Sequence, residues 1–275
     1  MKEAKADRMK DHEPGQTAED SPLFNHSTKK VFEVMRAFGP TRRSMSLPEL
    51  AESAGISKSA AQRLAFTLEE LGYLDKNADN KRYSLSTKIL ELGWRYMSSD
   101  PLIGYAEPFI ARLSASTKES VNLWRPADTN MICVCRFPGS NQLVAPMPLG
   151  QLLPMYCSSG GRAFLGAIDR SQVLDILSAT KLEKHLDTTE TDPERLLKII
   201  DGAAADGFST AFCQFYPTDL AFGAAITDAA GRAVGAINIS VPNTRWKEKA
   251  ALATFPDLIR ETARAISANI RERLS

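Results

Sequence analysis

The segment 57–72, SKSAAQRLAFTLEELG, most constrains what this chain can fold into. Its apolar residues recur with the three- and four-residue spacing that builds a single stripe along a helix. They are Ala61, Leu64, Ala65, Leu68 and Leu71. Ser57 is the expected N-cap, because its side chain can accept a hydrogen bond from one of the first free N–H groups. The outward face then carries Ser59, Gln62, Arg63 and Phe66.

A shorter apolar repeat, residues 47–54, precedes this helix, with Ser46 as its predicted N-cap and Gly55 as its end. Helix, tight turn with a glycine, and helix is the order of a helix-turn-helix, whose second helix enters a DNA groove. Two short helices joined through a glycine are also common in proteins that bind no DNA, and a polar outer face is usually only solvated. The helix pair by itself therefore leaves both interpretations open.

The flanking segments favour DNA binding. Residues 28–38 read as a first helix that Gly39 and Pro40 stop, and residues 73–85 read as a β-hairpin around turn residues 77–80. A hairpin placed directly after the second helix is the wing of a winged helix-turn-helix, and its Lys81-Arg82 edge could follow a DNA backbone. Arg42 and Arg43 could touch a phosphate or simply solvate a loop. Residues 21–99 carry 12 Lys and Arg against eight Asp and Glu, the sign that phosphate contacts require.

Several short motifs resemble the DNA-binding domain of the IclR family of bacterial transcriptional regulators. They are LPELA at 47–51, GISKS at 55–59, RL at 63–64, LGYL at 71–74 and YSL at 83–85. The partner that this resemblance implies is a double-stranded DNA operator. The candidate contacts are Arg42, Arg43, Ser57, Lys58, Ser59, Ala60, Gln62, Arg63, Lys81 and Arg82. The family commonly has Ser-Thr where this chain has Ser59-Ala60, and Leu-Gly where it has Leu85-Ser86, so a relative's operator sequence cannot be borrowed.

Residues 87–97 predict a helix that is apolar over much of its circumference and needs another surface to cover it. It could be one more core helix, but Asp100-Pro101 marks a domain boundary. By resemblance it is a linker helix that pairs two subunits, which implies a homodimer and a dimer of dimers. The expected domains are a disordered arm (1–22), a winged helix-turn-helix (23–86), a linker helix (87–100) and an effector-binding domain (101–275).

From residue 101 the pattern mixes helix and strand, which predicts an α+β domain. By resemblance it is the GAF-like effector domain of this family. Predicted helices cover 102–116, 160–168, 171–178, 193–206 and 246–273, the last broken near Pro256. Predicted strands cover 121–125, 131–137, 142–147, 208–213, 221–227 and 233–241.

A binding pocket is predicted where residues 153–162 lead from a loop into a helix, because free N–H groups favour an anion there. An ordinary capped helix explains the local sequence equally well. Asn238 and Ser240 favour the pocket, since they share the inner face of a central strand and need polar partners. A bound carboxylate would supply such a partner.

The resemblance adds residues to this pocket. In relatives the effector lies among positions matched here by Cys157, Ser158, Ser159, Gly160, Ala211, Asp219, Ala221, Asn238 and Ser240. Ala211 and Gln214 replace acidic residues found in some or many relatives, so we expect a different effector. The neighbouring aromatic residues suit a flat organic acid, although they could equally be plain core: Tyr156, Phe212, Phe215, Tyr216 and Phe222.

Other classes of function are less well supported. A hydrolase with an accessory winged helix would combine Cys157, Ser158 or Ser159 with His185, yet no catalytic motif surrounds them. No metal site, phosphate-binding loop or cofactor is expected, and no segment suits a membrane span, so we expect a cytoplasmic protein. A winged helix that contacts only proteins stays possible. We expect a transcriptional regulator that responds to a small organic acid; the sequence does not determine repression or activation.

Overall fold

The structure, a computed structural model, describes residues 18–140 and 147–274. It divides between Arg95 and Tyr96 into two compact units, each with its own hydrophobic core. The predicted α+β fold with two domains is confirmed. No helix within the described ranges is long and apolar enough to cross a bilayer.

The N-terminal unit contains helices α1 (His26–Arg36), α2 (Leu47–Ser53) and α3 (Lys58–Glu70), followed by the hairpin β1 (Leu74–Lys76) and β2 (Tyr83–Leu85). This is a winged helix-turn-helix. Its core consists of residues from every one of these elements and from the α1–α2 connection: Val34, Met45, Leu50, Ala54, Ala65, Leu68, Leu74 and Tyr83. Met45 also exchanges backbone hydrogen bonds with Tyr83, which ties the α1–α2 connection to the wing through a single bridge that the sequence did not predict.

The N-cap of α3 follows the predicted chemistry, whereas its last turn and the start of α1, at His26 with Asn25 as N-cap, differ from the prediction. Ser57 Oγ accepts a hydrogen bond from the N–H of Ala60 at 3.2 Å, as the N-cap prediction required. Leu71 was wrongly assigned to the buried stripe, because α3 ends at Glu70 and the Leu71 side chain is 53 % exposed. Gly72, with a φ of +76°, turns the chain immediately afterwards into the wing.

The expected disorder of residues 1–22 is wrong at the end of that segment. Ala18–Asp20 form a 3₁₀ turn, and Glu19 Oε1 lies 2.6 Å from Lys29 Nζ on α1. This ion pair links the acidic turn to α1, a contact that the composition of the segment did not indicate. Residues 1–17 lie outside the described part of the chain.

Helix α4 (Ile89–Ser99) contains the division between the units and has no buried residue. Leu90 is 71 % exposed and Trp94 is 63 % exposed. In its last turn, within the C-terminal unit, the Tyr96 hydroxyl donates to Asp100 Oδ2 at 2.8 Å. The same carboxylate oxygen lies 3.0 Å from Arg125 Nε.

The C-terminal unit is built on a six-stranded antiparallel sheet with strand order β5-β4-β3-β8-β7-β6. The strands are β3 (Ser120–Ala127), β4 (Asn130–Phe137), β5 (Leu152–Pro154), β6 (Ser209–Phe212), β7 (Asp219–Thr227) and β8 (Ala233–Pro242). The helices are α5 (Pro101–Thr117), α6 (Ser159–Leu165), α7 (Arg170–Ser178), α8 (Pro193–Asp206) and α9 (Glu248–Leu274). Apolar residues of α5 and α9 cover one face of the sheet, and those of α6, α7 and α8 cover the other.

Two elements differ from the sequence prediction. Helix α9 runs through Pro256 without the predicted break, and buried Phe255 and Ile259 hold its two halves on the sheet. Strand β5 was not predicted, and the predicted strand 142–147 lies outside the described residues except for Met147. A three-residue strand at a sheet edge is too short to leave a pattern in the sequence.

Candidate DNA interface and effector pocket

The outward face of α3 presents the predicted base-contacting side chains. Ser57, Lys58, Ser59, Gln62 and Arg63 are exposed, and Ala60 is half-buried. The hydroxyl oxygens of Ser57 and Ser59 lie 3.2 Å apart. Phe66, on the same face, is 60 % exposed. The first turns of α3 thus combine short polar groups, a flexible amide and a guanidinium on one accessible surface.

The connection between α1 and α2 contributes two further cations. Arg42 and Arg43 are both exposed, and Arg42 Nη1 donates to Ser53 Oγ at the end of α2, at 3.0 Å. This hydrogen bond fixes the Arg42 side chain beside the helix-turn-helix. A fixed, exposed guanidinium is suited to a phosphate contact.

The wing does not carry the uniform basic edge that the sequence suggested. Lys81 is exposed at the turn, with a φ of +56°. Arg82 instead turns back onto α2, donating from Nη2 to the carbonyl of Ser44 at 2.8 Å and pairing with Glu49 Oε2 at 2.9 Å. Hydrogen bonds from Ser46, reinforced by Arg82, lower the pKa of Glu49 to about 2. Arg82 therefore holds the wing against α2, and Lys81 is the more accessible cation.

In the C-terminal unit, the predicted pocket residues surround a small cavity beneath the sheet face that α6 covers. Its volume is about 20 Å³, room for about one water molecule. The walls include all the predicted pocket residues except Ser240: Cys157, Ser158, Ser159, Gly160, Ala211, Asp219, Ala221 and Asn238. Trp124, Met147, Leu153, Gln214, Phe215 and Tyr216 complete them.

The start of α6 lies directly on β7 because glycine and serine permit it. A Cβ atom on Gly223 would lie 2.4 Å from the carbonyl oxygen of Ser159, so only glycine fits this position. The Ser209 hydroxyl donates to that same carbonyl. Ser158 caps the helix, accepting from the N–H of Gly161 at 3.3 Å and donating to the carbonyl of Pro154 at 2.8 Å.

A chain of hydrogen bonds crosses the sheet behind the cavity. Trp124 Nε1 donates to Asn238 Oδ1 at 2.6 Å, and Asn122 Nδ2 donates to the same oxygen at 3.0 Å. Asn238 Nδ2 then donates to Ser240 Oγ at 3.1 Å, and Ser240 Oγ donates to Asp219 Oδ2 at 3.4 Å. The protein itself thus supplies partners for Asn238 and Ser240. A bound carboxylate is therefore not required as a partner for these two side chains.

Other buried polar atoms near the cavity lack a hydrogen-bond partner among the described residues. Within residues 18–140 and 147–274, four buried side-chain atoms have no hydrogen-bond partner: Ser159 Oγ and Asp219 Oδ1 on residues of the cavity wall, and Asn122 Oδ1 and Arg260 Nε on residues outside it. Burial raises the pKa of the Asp219 carboxyl to about 7, against the opposing effect of the Ser240 hydroxyl. Asp219 is therefore a carboxyl group that keeps its proton into the neutral range.

Sequence reasoning missed Arg162, which is only 4 % exposed. Its guanidinium donates to the carbonyls of Tyr156 (2.7 Å) and Thr210 (2.9 Å) and to Gln214 Oε1 (2.7 Å). Burial lowers its pKa to about 10. Arg162 thereby fixes Gln214 in the cavity wall. An arginine inside the otherwise small and apolar run SGGRAFL was the signal available in the sequence.

The arrangement does not provide a nucleophile. Burial raises the pKa of the Cys157 thiol to about 12, so the thiolate is disfavoured. His185 stacks on the ring of Tyr156 and makes a tilted contact with the ring of Phe215. In the described part of the chain, no hydrogen bond joins His185 to Cys157, Ser158 or Ser159. The nucleophile and base of a hydrolase are therefore not brought together.

Comparisons with known proteins agree with this geometry. A family model described as the IclR helix-turn-helix domain matches residues 27–78, and one described as the C-terminal part of the bacterial transcriptional regulator IclR matches residues 94–268. The Pca regulon regulatory protein of Pseudomonas putida is 29 % identical over 80 % of this chain and 75 % of its own length. The transcriptional regulator KdgR of Escherichia coli is 27 % identical over 89 % of this chain and 92 % of its own.

A solved structure gives a similar fold. The crystal structure of an IclR homolog complexed with 4-hydroxybenzoate, from Microbacterium hydrocarbonoxydans, superposes with a TM-score of 0.72. It shares 20 % sequence identity and covers 90 % of this chain and 99 % of its own. At that identity, the likeness shows the fold.

Proposed function

The chain belongs to the IclR family of bacterial transcriptional regulators, and on that premise we propose that α3 and the wing bind its operator and that an organic acid in the C-terminal pocket modulates this binding. The protein is a DNA-binding transcriptional regulator and not an enzyme. The alternative of a hydrolase with an accessory winged helix is not supported, because the matched models assign both domains to regulators.

The exposed face of α3 is the observation that carries the DNA-binding proposal. Arg63, Gln62 and Ser59 are the side chains that would reach base edges, since guanidinium and amide groups can form paired hydrogen bonds with guanine and adenine. Lys58, Lys81 and the Arg42-Arg43 pair would contact phosphates, which set the register on the duplex without reading sequence. Arg82 would act indirectly, by holding the wing in place.

The exposed apolar residues of α4 support a homodimer. Leu90, Leu92 and Trp94 present large apolar side chains that the described residues of the chain leave uncovered. A second copy of the same helix would cover them and would pair two recognition helices for a two-fold operator. Two such dimers, associated through their C-terminal domains, would form the dimer of dimers that the family resemblance suggests.

An aromatic acid is the effector class that the pocket walls favour. Phe215 and Tyr216 line the cavity, and a solved relative is described as a complex with 4-hydroxybenzoate. A ring of that size does not fit into about 20 Å³, so binding an aromatic acid would require the cavity to widen. A ligand that binds the open arrangement more tightly than the closed one shifts the population towards it, and this difference in affinity drives the response.

Fluorescence anisotropy with labelled DNA from upstream of the protein's own gene tests the interface. Arg63→Ala should weaken binding by about 1–3 kcal/mol, roughly 5- to 150-fold, because a base-edge contact is lost. Lys30→Ala removes one equally exposed charge from α1 and should retain the parent's affinity. Equal binding by Arg63→Ala and the parent would refute the proposed helix face. No binding by the parent to any such DNA would favour a winged helix that contacts only proteins.

A further inference from the structure

The cavity in the C-terminal unit exposes two polar atoms whose hydrogen-bonding capacity is unused. Ser159 is 2 % exposed and its hydroxyl has no partner among the described residues. Asp219 is half-buried as a residue, but its Oδ1 is fully buried and likewise lacks a partner in that part of the chain. Both side chains line the cavity. A buried polar atom in a native pocket requires an explanation, and a ligand is one.

The direction of the hydrogen bonds behind the cavity determines what kind of partner is missing. Donation runs from Trp124 to Asn238, from Asn238 to Ser240, and from Ser240 to Asp219 Oδ2. The hydrogen bonds of this chain are therefore directed towards Asp219. The chain ends at the Asp219 carboxyl group, whose other oxygen, Oδ1, has no partner among the described residues. Above its pKa of about 7 the carboxyl group is ionised, and Oδ1 then offers an acceptor to the cavity.

Neighbouring donors do not fill this position. The buried guanidinium of Arg162 is bonded to the carbonyls of Tyr156 and Thr210 and to the Gln214 side chain. The Tyr216 hydroxyl accepts a hydrogen bond from Gln151. Among the described residues, Tyr216 donates no hydrogen bond to Asp219. The cavity thus has an acceptor in Asp219 and a hydroxyl in Ser159 that can donate or accept.

We propose that Asp219 is the specificity-determining residue of the effector pocket, selecting organic acids that also carry a hydrogen-bond donor, such as a hydroxyl group. Ser159 donates to an acceptor oxygen of the same ligand. This inference rests on the proposed effector function of the pocket. A ligand without the donor leaves the Asp219 oxygen buried and unpaired, and sites built to bond a hydroxyl reject analogues that lack it.

Calorimetric titration of the full chain with 4-hydroxybenzoate, benzoate and 4-methoxybenzoate at pH 8, where the Asp219 carboxyl group is ionised, tests the proposal. The parent should bind 4-hydroxybenzoate at least about tenfold more tightly than the other acids, since they offer Asp219 no donor. 4-Aminobenzoate, which carries N–H donors, should group with 4-hydroxybenzoate. Anisotropy on the operator DNA of the same preparations shows in parallel whether the regulator is intact.

Variants separate recognition from folding. Asp219→Ala should lose the preference for the hydroxylated acid. Asp219→Asn should lose it too, because its amide oxygen accepts from Ser240 and its N–H donors then face the cavity. Asp201→Ala removes an exposed carboxylate of α8 and should discriminate like the parent. Thermal melting of each variant, followed by circular dichroism, identifies any that fail to fold, and Asp219→Asn keeps the test decisive if Asp219→Ala is among them.

The outcomes are distinguishable. Equal affinity of the parent for 4-hydroxybenzoate and benzoate overturns the role of Asp219 and leaves the effector function standing. If a folded Asp219→Ala or Asp219→Asn variant still prefers 4-hydroxybenzoate to benzoate as the parent does, the role of Asp219 is likewise overturned and the effector function stands. If the parent, with DNA binding intact, binds none of these acids, both the donor selection and the proposed class of effector are wrong.

Discussion

The buried carboxyl group of Asp219 should make the stability of the C-terminal unit depend on pH. Its pKa is about 7 in the folded protein, against an ordinary value of 3.8. Between these values the folded chain keeps a proton that the unfolded chain releases. The free energy of unfolding therefore falls as the pH rises through this window, and the full loss is present above pH 7.

The size of the effect follows from the two pKa values. Each pH unit in the window costs about 1.4 kcal/mol, so the loss amounts to at most roughly 4 kcal/mol at pH 8. Asp219 retains some solvent contact as a residue, so the measured loss should be smaller than this ceiling. Asp219→Asn removes the titration while preserving the acceptor for Ser240. Relative to the parent, this variant should gain stability steadily from pH 4 to pH 7.

Urea denaturation of the full chain measures this difference in the free energy of unfolding between Asp219→Asn and the parent. It is carried out at several pH values between 4 and 8 and followed at the unfolding transition of the C-terminal unit. Titrations common to both proteins cancel in the comparison. Asp201→Asn, at an exposed site on α8, provides the matched control and should show no comparable trend. If the difference between Asp219→Asn and the parent is the same at pH 4 and pH 8, the buried carboxyl group does not titrate as argued.

Three further substitutions test separate parts of the structure. Lys81→Ala should lower the slope of log affinity for operator DNA against log salt by about one, because one phosphate contact is lost, as measured by anisotropy over a salt series. Trp94→Glu should shift the protein from dimer towards monomer in analytical ultracentrifugation, since its side chain is 63 % exposed on α4. Gly223→Ala should destabilise the C-terminal unit by about 1–3 kcal/mol in urea, because the added Cβ meets the carbonyl oxygen of Ser159.

Local patterns predicted the DNA-binding domain well. Periodicity located α3 and the wing, and cap chemistry located the start of α3 at Ser57. The role expected for Arg82 was wrong because it depends on contacts between elements that are distant in the sequence. Arg82 looked like part of a basic edge, and only its position beside Ser44 and Glu49 shows that it holds the wing.

The pocket shows the same limit. Alternation along β8 placed Asn238 and Ser240 on the correct face of the sheet, but their partners come from other strands. Trp124 precedes Asn238 by 114 residues, a pairing that no local pattern encodes. Arg162 was missed for a related reason, since two of its three acceptors lie in β6 and the following loop.

The ion pair between Arg125 and Asp100 connects β3, which contributes Trp124 to the cavity wall, to the residue that follows α4. Trp124 forms a wall of the cavity, and its neighbour Arg125 points to the opposite face, where it grips the last turn of α4 through Asp100 and Tyr96. Because Trp124 and Arg125 are adjacent in the backbone, a ligand that displaced the Trp124 indole would also act on the Arg125–Asp100 ion pair. If the proposed effector function holds, we therefore expect substitutions at residue 125 to change the strength of the response more than the affinity for the ligand.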